Sequence, residues 1–341
     1  MFFLPWQIWL PILRPEQDAP LNMKKSIIAA AIAVAVAAPA ANAGVTLYGK
    51  VHVSIDYTQH DFNSDYDGIW GVYSRASRIG FKGTEDLGNG LSLIWKAETG
   101  YDFSDGGAWD SSGRNAYIGL TGDWGTFLYG RHDGPYKMAW YSTGIDMMGD
   151  TIMDANGLAS VEENRFSNAI AYVSPNMNGL TFAAAIVPGE GTNNATGLTD
   201  GISVGVMYSN NGLKLAAAYE DEGDLGDNAD DNDRFMIGAG YTMNAFSIAA
   251  NYVDDDEDDE KSLNVSGSYS FGNNKLVLAY GHEDNDGGSD DVSWGVGLTH
   301  ALSKRTTAYA AYASTDEEDT LEMKTEMDAT SGFSIGLIHN F

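Results

Sequence analysis

Carboxylates are the side chains with which this sequence has most chemistry to offer. It carries 48 Asp and Glu against 19 Lys and Arg in 341 residues, a formal net charge of -29. The acids are bunched in "EDEGDLGDNADDND" (220–233), "DDDEDDEK" (254–261) and "EDNDGGSDD" (283–291). Oxygen ligands at that density suit hard cations such as Ca²⁺ or Mg²⁺. The runs lack the ligand and glycine spacing of a calcium loop, so they read as solvated outer loops with weak Ca²⁺ or Mg²⁺ binding at most.

Other chemistry finds little support. His52, His60, His132, His282, His300 and His339 show no H-E-x-x-H spacing, and the absence of cysteine excludes disulfides and thiolate metal sites. No nucleophile elbow is expected at "GFSIG" (332–336). No Ser, His and acid stand together as nucleophile, base and orienter. Neither enzyme activity nor a cofactor is expected. A nucleic-acid partner is excluded too, since it would require an excess of Lys and Arg to displace counterions.

The elements that must carry these loops are strands. In "GVTLYGKVHVSIDY" (44–57), Val45, Leu47, Gly49, Val51, Val53, Ile55 and Tyr57 share one parity, while Thr46, Tyr48, Lys50, His52, Ser54 and Asp56 share the other. The alternation recurs in "LSLIWKAETGY" (91–101), "KLAAAYE" (214–220) and "SLNVSGSYSF" (262–271), each about ten residues long, the length a tilted strand needs to cross a bilayer. Short connections such as "DLGNG", "GDWG" and "NNG" alternate with long acidic ones, and the pattern counts to sixteen strands, eight long loops and seven short turns.

Inside lipid every backbone N–H and C=O must be paired, so a sheet crosses only by closing on itself. The fold expected is therefore all-β: a transmembrane antiparallel up-and-down β-barrel of about 16 strands, apolar outside and polar towards a lumen too wide for side chains to fill. A water-soluble β-sandwich also alternates, but its loops need not alternate in length. Tyr57, Tyr101, Tyr208, Tyr219, Tyr252, Tyr269, Phe271, Tyr280 and Phe341 fall near strand ends, where aromatic girdles belong.

Compartment is set at the N-terminus. Met23, Lys24 and Lys25 open a basic start, residues 27–41 an apolar run, and Ala41, Asn42 and Ala43 an A-x-A cleavage site, so residues 23–43 read as a secretory signal peptide. Residues 1–22 precede a complete signal and read as an over-long start, leaving 44–341 as the barrel. That segment holds 16 basic and 46 acidic residues. Residues 132–164 form its longest strand-free stretch, too long for an ordinary connection. It is either an external lid or a segment turned inward.

"VTLYGKV" (45–51), "SRIGFKGTEDLGNGL" (77–91), "RNAYIGL" (114–120), "GTFLYGRHDG" (125–134) and the terminal "GLIHNF" (336–341) together resemble the general trimeric porins of Gram-negative outer membranes. The resemblance implies an outer-membrane homotrimer, in contact with lipid and lipopolysaccharide, that passes small hydrophilic solutes and ions by passive diffusion. It also implies a basic pore wall, matched by local motif at Lys50, Arg78, Arg114 and Arg165, with Arg131 as a fifth member. It turns the third long loop, 132–164, into the barrel, where Asp146 is the best match to the loop acid and Asp150 and Asp154 lie near it; the Pro-Glu-Phe-Gly-Gly type of tip is not reproduced. Phe341 matches the terminal signal read by the barrel-assembly machinery. Ile338 stands where a polar, lumen-facing residue is expected.

Charge acts across a narrow wet pore because the Debye length is about 8 Å at physiological salt. Four wall cations against three loop acids leave the constriction nearly neutral or slightly anion-favouring, while the acidic outer loops enrich cations at the mouth. The expectation is weak to moderate cation selectivity that fades as salt rises. A substrate-specific channel is the alternative, although Tyr48 is the single ring with clear inward parity.

Overall fold

A computed structural model describes residues 44–59, 68–106, 113–158, 161, 163–191, 196–223, 233–256, 260–285, 290–316 and 330–341. The expected leader (1–22) and signal peptide (23–43) lie outside the described residues, as do the centres of the three acidic runs. No helix among the described residues is long and apolar enough to cross a membrane.

The sheet closes on its first strand. β1 (Val45–Gln59) pairs on one edge with β17 (Ser331–Asn340), from Lys50 opposite Asn340 to Gln59 opposite Ser331. On its other edge it pairs with β2 (Ile69–Ser74) and β3 (Arg78–Gly88). All pairings are antiparallel, and from β3 onward each strand pairs with its successor in sequence. β2 and β3 are two halves of one stave, broken at residues 75–77 where Ala76 has φ 37°. Seventeen strand segments thus make the sixteen staves expected from the alternation.

Turn chemistry explains the tight end. β9 (Gly201–Asn210) and β10 (Leu213–Asp221) are joined by Asn211 and Gly212, both left-handed at φ 49° and 84°. Two successive positive φ values give the primed turn whose twist matches paired strands, and Asn-Gly is the pair that adopts it at least cost. Aromatic rings gather at this end, with Tyr269 4.6 Å from Phe246 and 5.8 Å from Phe271, and Trp124 stacked on Tyr172. That is the girdle expected at a membrane interface.

The faces divide as the parity dictates. Ile55, Val72, Ile237, Leu278 and Leu337 are exposed on the outer surface, whereas His52, Ser54, Asp56, Asn251 and Asn264 are buried on the inner one. Only hydrocarbon makes so apolar an exterior favourable.

The inner wall is not polar throughout, which corrects the simple alternation picture. The segment after β6 (Gly125–Asp133) turns into the barrel as α1 (Pro135–Ser142), with Pro135 preset for a first helical turn and Gly144 at φ 81° just past the end. Tyr136, Ala139 and Trp140 are fully buried against Ala216, Ala218, Met236, Ala249 and Val253 of the wall. Further along, Met148, Ile152, Met153 and Leu158 pack on Val277, Ala279, Tyr309, Ala311 and Ala313. Ile338 joins this second cluster, so an apolar residue faces inward there because loop, not water, covers it.

Burying each large side chain in these clusters contributes roughly 1.5–3 kcal/mol. Small wall residues make the fit possible. A Cβ on Gly205 would lie 2.8 Å from the Pro135 carbonyl oxygen, and one on Gly295 would lie 2.7 Å from Met153. The hydrophobic core of this barrel is therefore the seat of its own inserted loop.

Candidate constriction site

Seating the loop on the strands between residues 201 and 315 leaves open space on the opposite side, against those between residues 45 and 173. A polar cavity of about 630 Å³ lies there, lined by Lys50, Arg78, Arg114, Lys137 and Arg165 and by Asp133, Asp146, Asp150, Asp154 and Glu163. Lys50 comes from β1 and Arg78 from β3, directly opposite each other in register. Arg114 precedes β5 (Ala116–Gly122), and Arg165 opens β7 (Arg165–Val173). Like charges placed opposite one another on a sheet repel, so the wall needs carboxylates to hold this array.

Three sets of acids provide them. Glu98, on β4 (Leu91–Gly100), accepts from Arg114 at 2.7 Å, lies 3.3 Å from the Lys96 Nζ and 4.0 Å from the Arg78 Nε, and accepts from the Tyr48 hydroxyl at 2.8 Å. Asp133 pairs with Arg165 at 2.7 Å and accepts from the Asn115 amide at 2.8 Å. From the loop, Asp150 pairs with Lys50, while Glu163 pairs with Lys137 at 2.6 Å. Lys275 reaches in from the far wall to the Met147 carbonyl at 2.5 Å, pinning the loop from behind.

The loop acids differ in protonation. Burial, reinforced by the neighbouring Asp150 charge and opposed by the Gly149 amide, pushes the Asp146 carboxyl up to about 6. Burial also acts to raise Asp150, but the Lys50 ammonium outweighs it and holds that carboxyl below the ordinary value. Burial raises Glu163 despite its Lys137 partner.

Of the residues singled out from sequence, Lys50, Arg78, Arg114, Arg165, Asp146, Asp150 and Asp154 are brought together around this cavity. Arg131 is not. It stands opposite Ala116, on the face shared by the outward, exposed Ile118 and Tyr129, and donates to the Gly113 carbonyl and the Ser167 hydroxyl. Its outward direction follows its parity with Tyr129, which the local motif alone does not reveal. Phe341 closes β17 onto β1, its N–H donating to the Gly49 carbonyl and its carbonyl accepting from the Gly49 N–H, both at 3.1 Å. Its ring lies over Gly49, where any Cβ would clash.

Glu98, Asp133, Lys137, Glu163 and Lys96 escaped sequence reading. The alternation had put Lys96 and Glu98 on the polar face, but nothing in it says which cations they meet. "GFSIG" does spell G-x-S-x-G, yet Ser334 is fully buried in mid-strand β17, within 3.5 Å of the Tyr309 hydroxyl. A nucleophile elbow requires an exposed strand-to-helix turn, so the motif carries no chemistry. Among the described residues, no group of three or more His, Asp or Glu is arranged to hold a metal ion.

A closed sixteen-stave barrel with an apolar exterior, an aromatic girdle and a charged interior narrowed by an inserted loop defines a transmembrane β-barrel. Residues 29–320 match the Gram-negative porin family, and the chain belongs to it. It is 30% identical over 230 residues to an outer membrane porin protein of Bordetella pertussis, covering 58% of this chain and 59% of that one. It is 31% identical over 209 residues to the major outer membrane protein P.IB of Neisseria meningitidis serogroup B, covering 58% and 60%. These matches span under two thirds of the relatives' own length. Among solved structures, an anion-selective porin from Comamonas acidovorans superposes with TM-score 0.74 at 23% identity, over 88% of this chain and 100% of that one. OmpT of Vibrio cholerae in its trimer form gives 0.62 at 19%, over 88% and 99%. The chain is an outer-membrane β-barrel protein.

Proposed function

We propose that the barrel forms a water-filled channel for passive diffusion of small hydrophilic solutes and ions across the outer membrane, with the inserted loop as its constriction. The observation that carries this is the 630 Å³ cavity between loop and wall, whose ten charged residues face a space that apolar packing leaves open. Charged side chains gathered so densely require water or one another, and the ion pairs Lys50–Asp150, Lys137–Glu163 and Arg165–Asp133 meet part of that need. The homotrimer, the contacts with lipopolysaccharide and the barrel-assembly machinery, and the weak hold of the acidic loops on divalent ions belong to this same proposal. It requires no cofactor.

Selectivity is proposed as weak to moderate cation preference. The cavity lining is balanced, five cations against five carboxylates, so the acidic excess of residues 44–341, 46 acidic against 16 basic, decides at the mouths, where it enriches cations until salt screens it. A second reading, anion preference, draws support from the anion-selective porin of similar fold and from the three wall cations that share Glu98. Reversal potentials in planar bilayers under a KCl gradient separate the two, and the absence of conductance steps would defeat both.

A further inference from the structure

Around the constriction three cations each have a carboxylate partner: Lys50 has Asp150, Lys137 has Glu163 and Arg165 has Asp133. Nearer the short-turn end of β3 and β4 that balance fails. Lys82 and Lys96 stand directly opposite each other in register. Their ammonium groups lie 5.2 Å and 5.6 Å from the centroid of the Tyr48 ring. A neutral ring holds cations in place without cancelling their charge. Lys82, Lys96, Arg78 and Arg114 thus surround Tyr48 with a single carboxylate, Glu98, among the described residues.

Lys82 is exposed, and the side chains of Lys96, Arg78 and Arg114 keep 21%, 27% and 22% of their surface open. Like charges held opposite one another are unfavourable until something negative joins them. From this we infer that the wall around Tyr48 is a binding site for a small multiply charged anion bearing carboxylate or phosphate groups. The two arginines offer forked donors that match the planar oxygens of such groups, and the lysines act as point charges. The site rests on the reading of the barrel interior as an aqueous lumen. It adjoins the constriction on the short-turn side and shares Arg78 and Arg114 with it, so an anion that has passed the loop meets Lys82 and Lys96 next.

The test is calorimetric titration of the full-length, detergent-solubilised protein at low salt, with citrate and inorganic phosphate as separate probes. Binding of at least one probe by the wild-type protein is expected, weakened at least tenfold in Lys82→Gln/Lys96→Gln and weakened less in Lys82→Gln alone. Binding should be unchanged in the charge-matched control Lys304→Gln/Arg305→Gln, whose residues lie on an exposed turn. Citrate binding without phosphate binding assigns the site to carboxylates, and the converse to phosphates. No binding of either probe to the wild type, or equal binding to the double variant, overturns the proposal. Binding without conductance steps in a bilayer would leave this site standing while defeating the channel, and conductance without binding would do the reverse.

Discussion

Lys50 and Asp150 are one hundred residues apart in sequence and form an ion pair across the barrel interior. Lys50 belongs to the wall and Asp150 to the loop, so the pair ties the free face of the inserted segment to the first strand. The opposite face is held by burial of Trp140 and Met153. With apolar seating behind and charge in front, the loop is a fixed constriction.

Shortening the loop should widen the pore. Removing residues 144–158 deletes Asp146, Asp150 and Asp154 together with the apolar plug of Met148, Ile152 and Met153. Single-channel conductance should rise. An unchanged conductance would place the loop outside the permeation path.

Neutralising Asp150 should shift selectivity. Asp150→Asn leaves Lys50 unpaired and the cavity lining with one net positive charge. Across about 8 Å of water a unit charge is worth about 0.5 kcal/mol, of opposite sign for a permeant cation and anion, so the permeability ratio should move towards anions by up to about sixfold, less as salt screens it. A reversal potential identical to wild type would show that the cavity charges do not govern permeation.

Acidification should act in the same direction. Asp146, with its carboxyl raised to about 6, is ionised at pH 7.5 and takes up a proton on the way to pH 5, while Asp150, held down by Lys50, stays charged through that window. Cation preference should therefore fall between pH 7 and pH 5. Asp146→Asn should show the lower preference at both pH values, and a pH response surviving in that variant would assign the effect elsewhere.

Loosening the seat should separate loop from barrel. Trp140 is fully buried against the inner wall, and truncating a buried aromatic to alanine costs about 3–5 kcal/mol. Trp140→Ala should leave the barrel's heat-sensitive gel migration intact and make the loop open to protease. A loop as resistant as wild type would mean that α1 contributes little to its anchoring.

The barrel was legible in the sequence because strand parity is a one-dimensional signal: "SLNVSGSYSF" names its own two faces, and Asn-Gly names its own turn. The constriction was partly legible, through motifs around Lys50, Arg78, Arg114 and Arg165. What could not be read is whatever depends on two distant segments meeting. Ile338 looked misplaced until Met148 and its neighbours covered it, Arg131 kept its motif while sharing the outward parity of Tyr129, and Glu98 drew its importance from three cations and a tyrosine on four different chain segments.

Removing Phe341 should impair assembly, since the residue makes both terminal backbone hydrogen bonds that close β17 on β1. The truncated protein should reach the outer membrane in reduced amount. Insertion equal to wild type would show that closure is secured by the rest of the β1–β17 register.

On the proposed function the interior is a conducting aqueous path past a balanced, loop-built constriction, with acidic mouths setting the sign. The most direct test is single-channel recording of the full-length protein in a planar bilayer under a KCl gradient at low salt. Discrete conductance steps are expected, with a reversal potential on the cation side that moves towards zero as salt is raised. A bilayer without steps, or steps that reverse on the anion side at low salt, would contradict this reading.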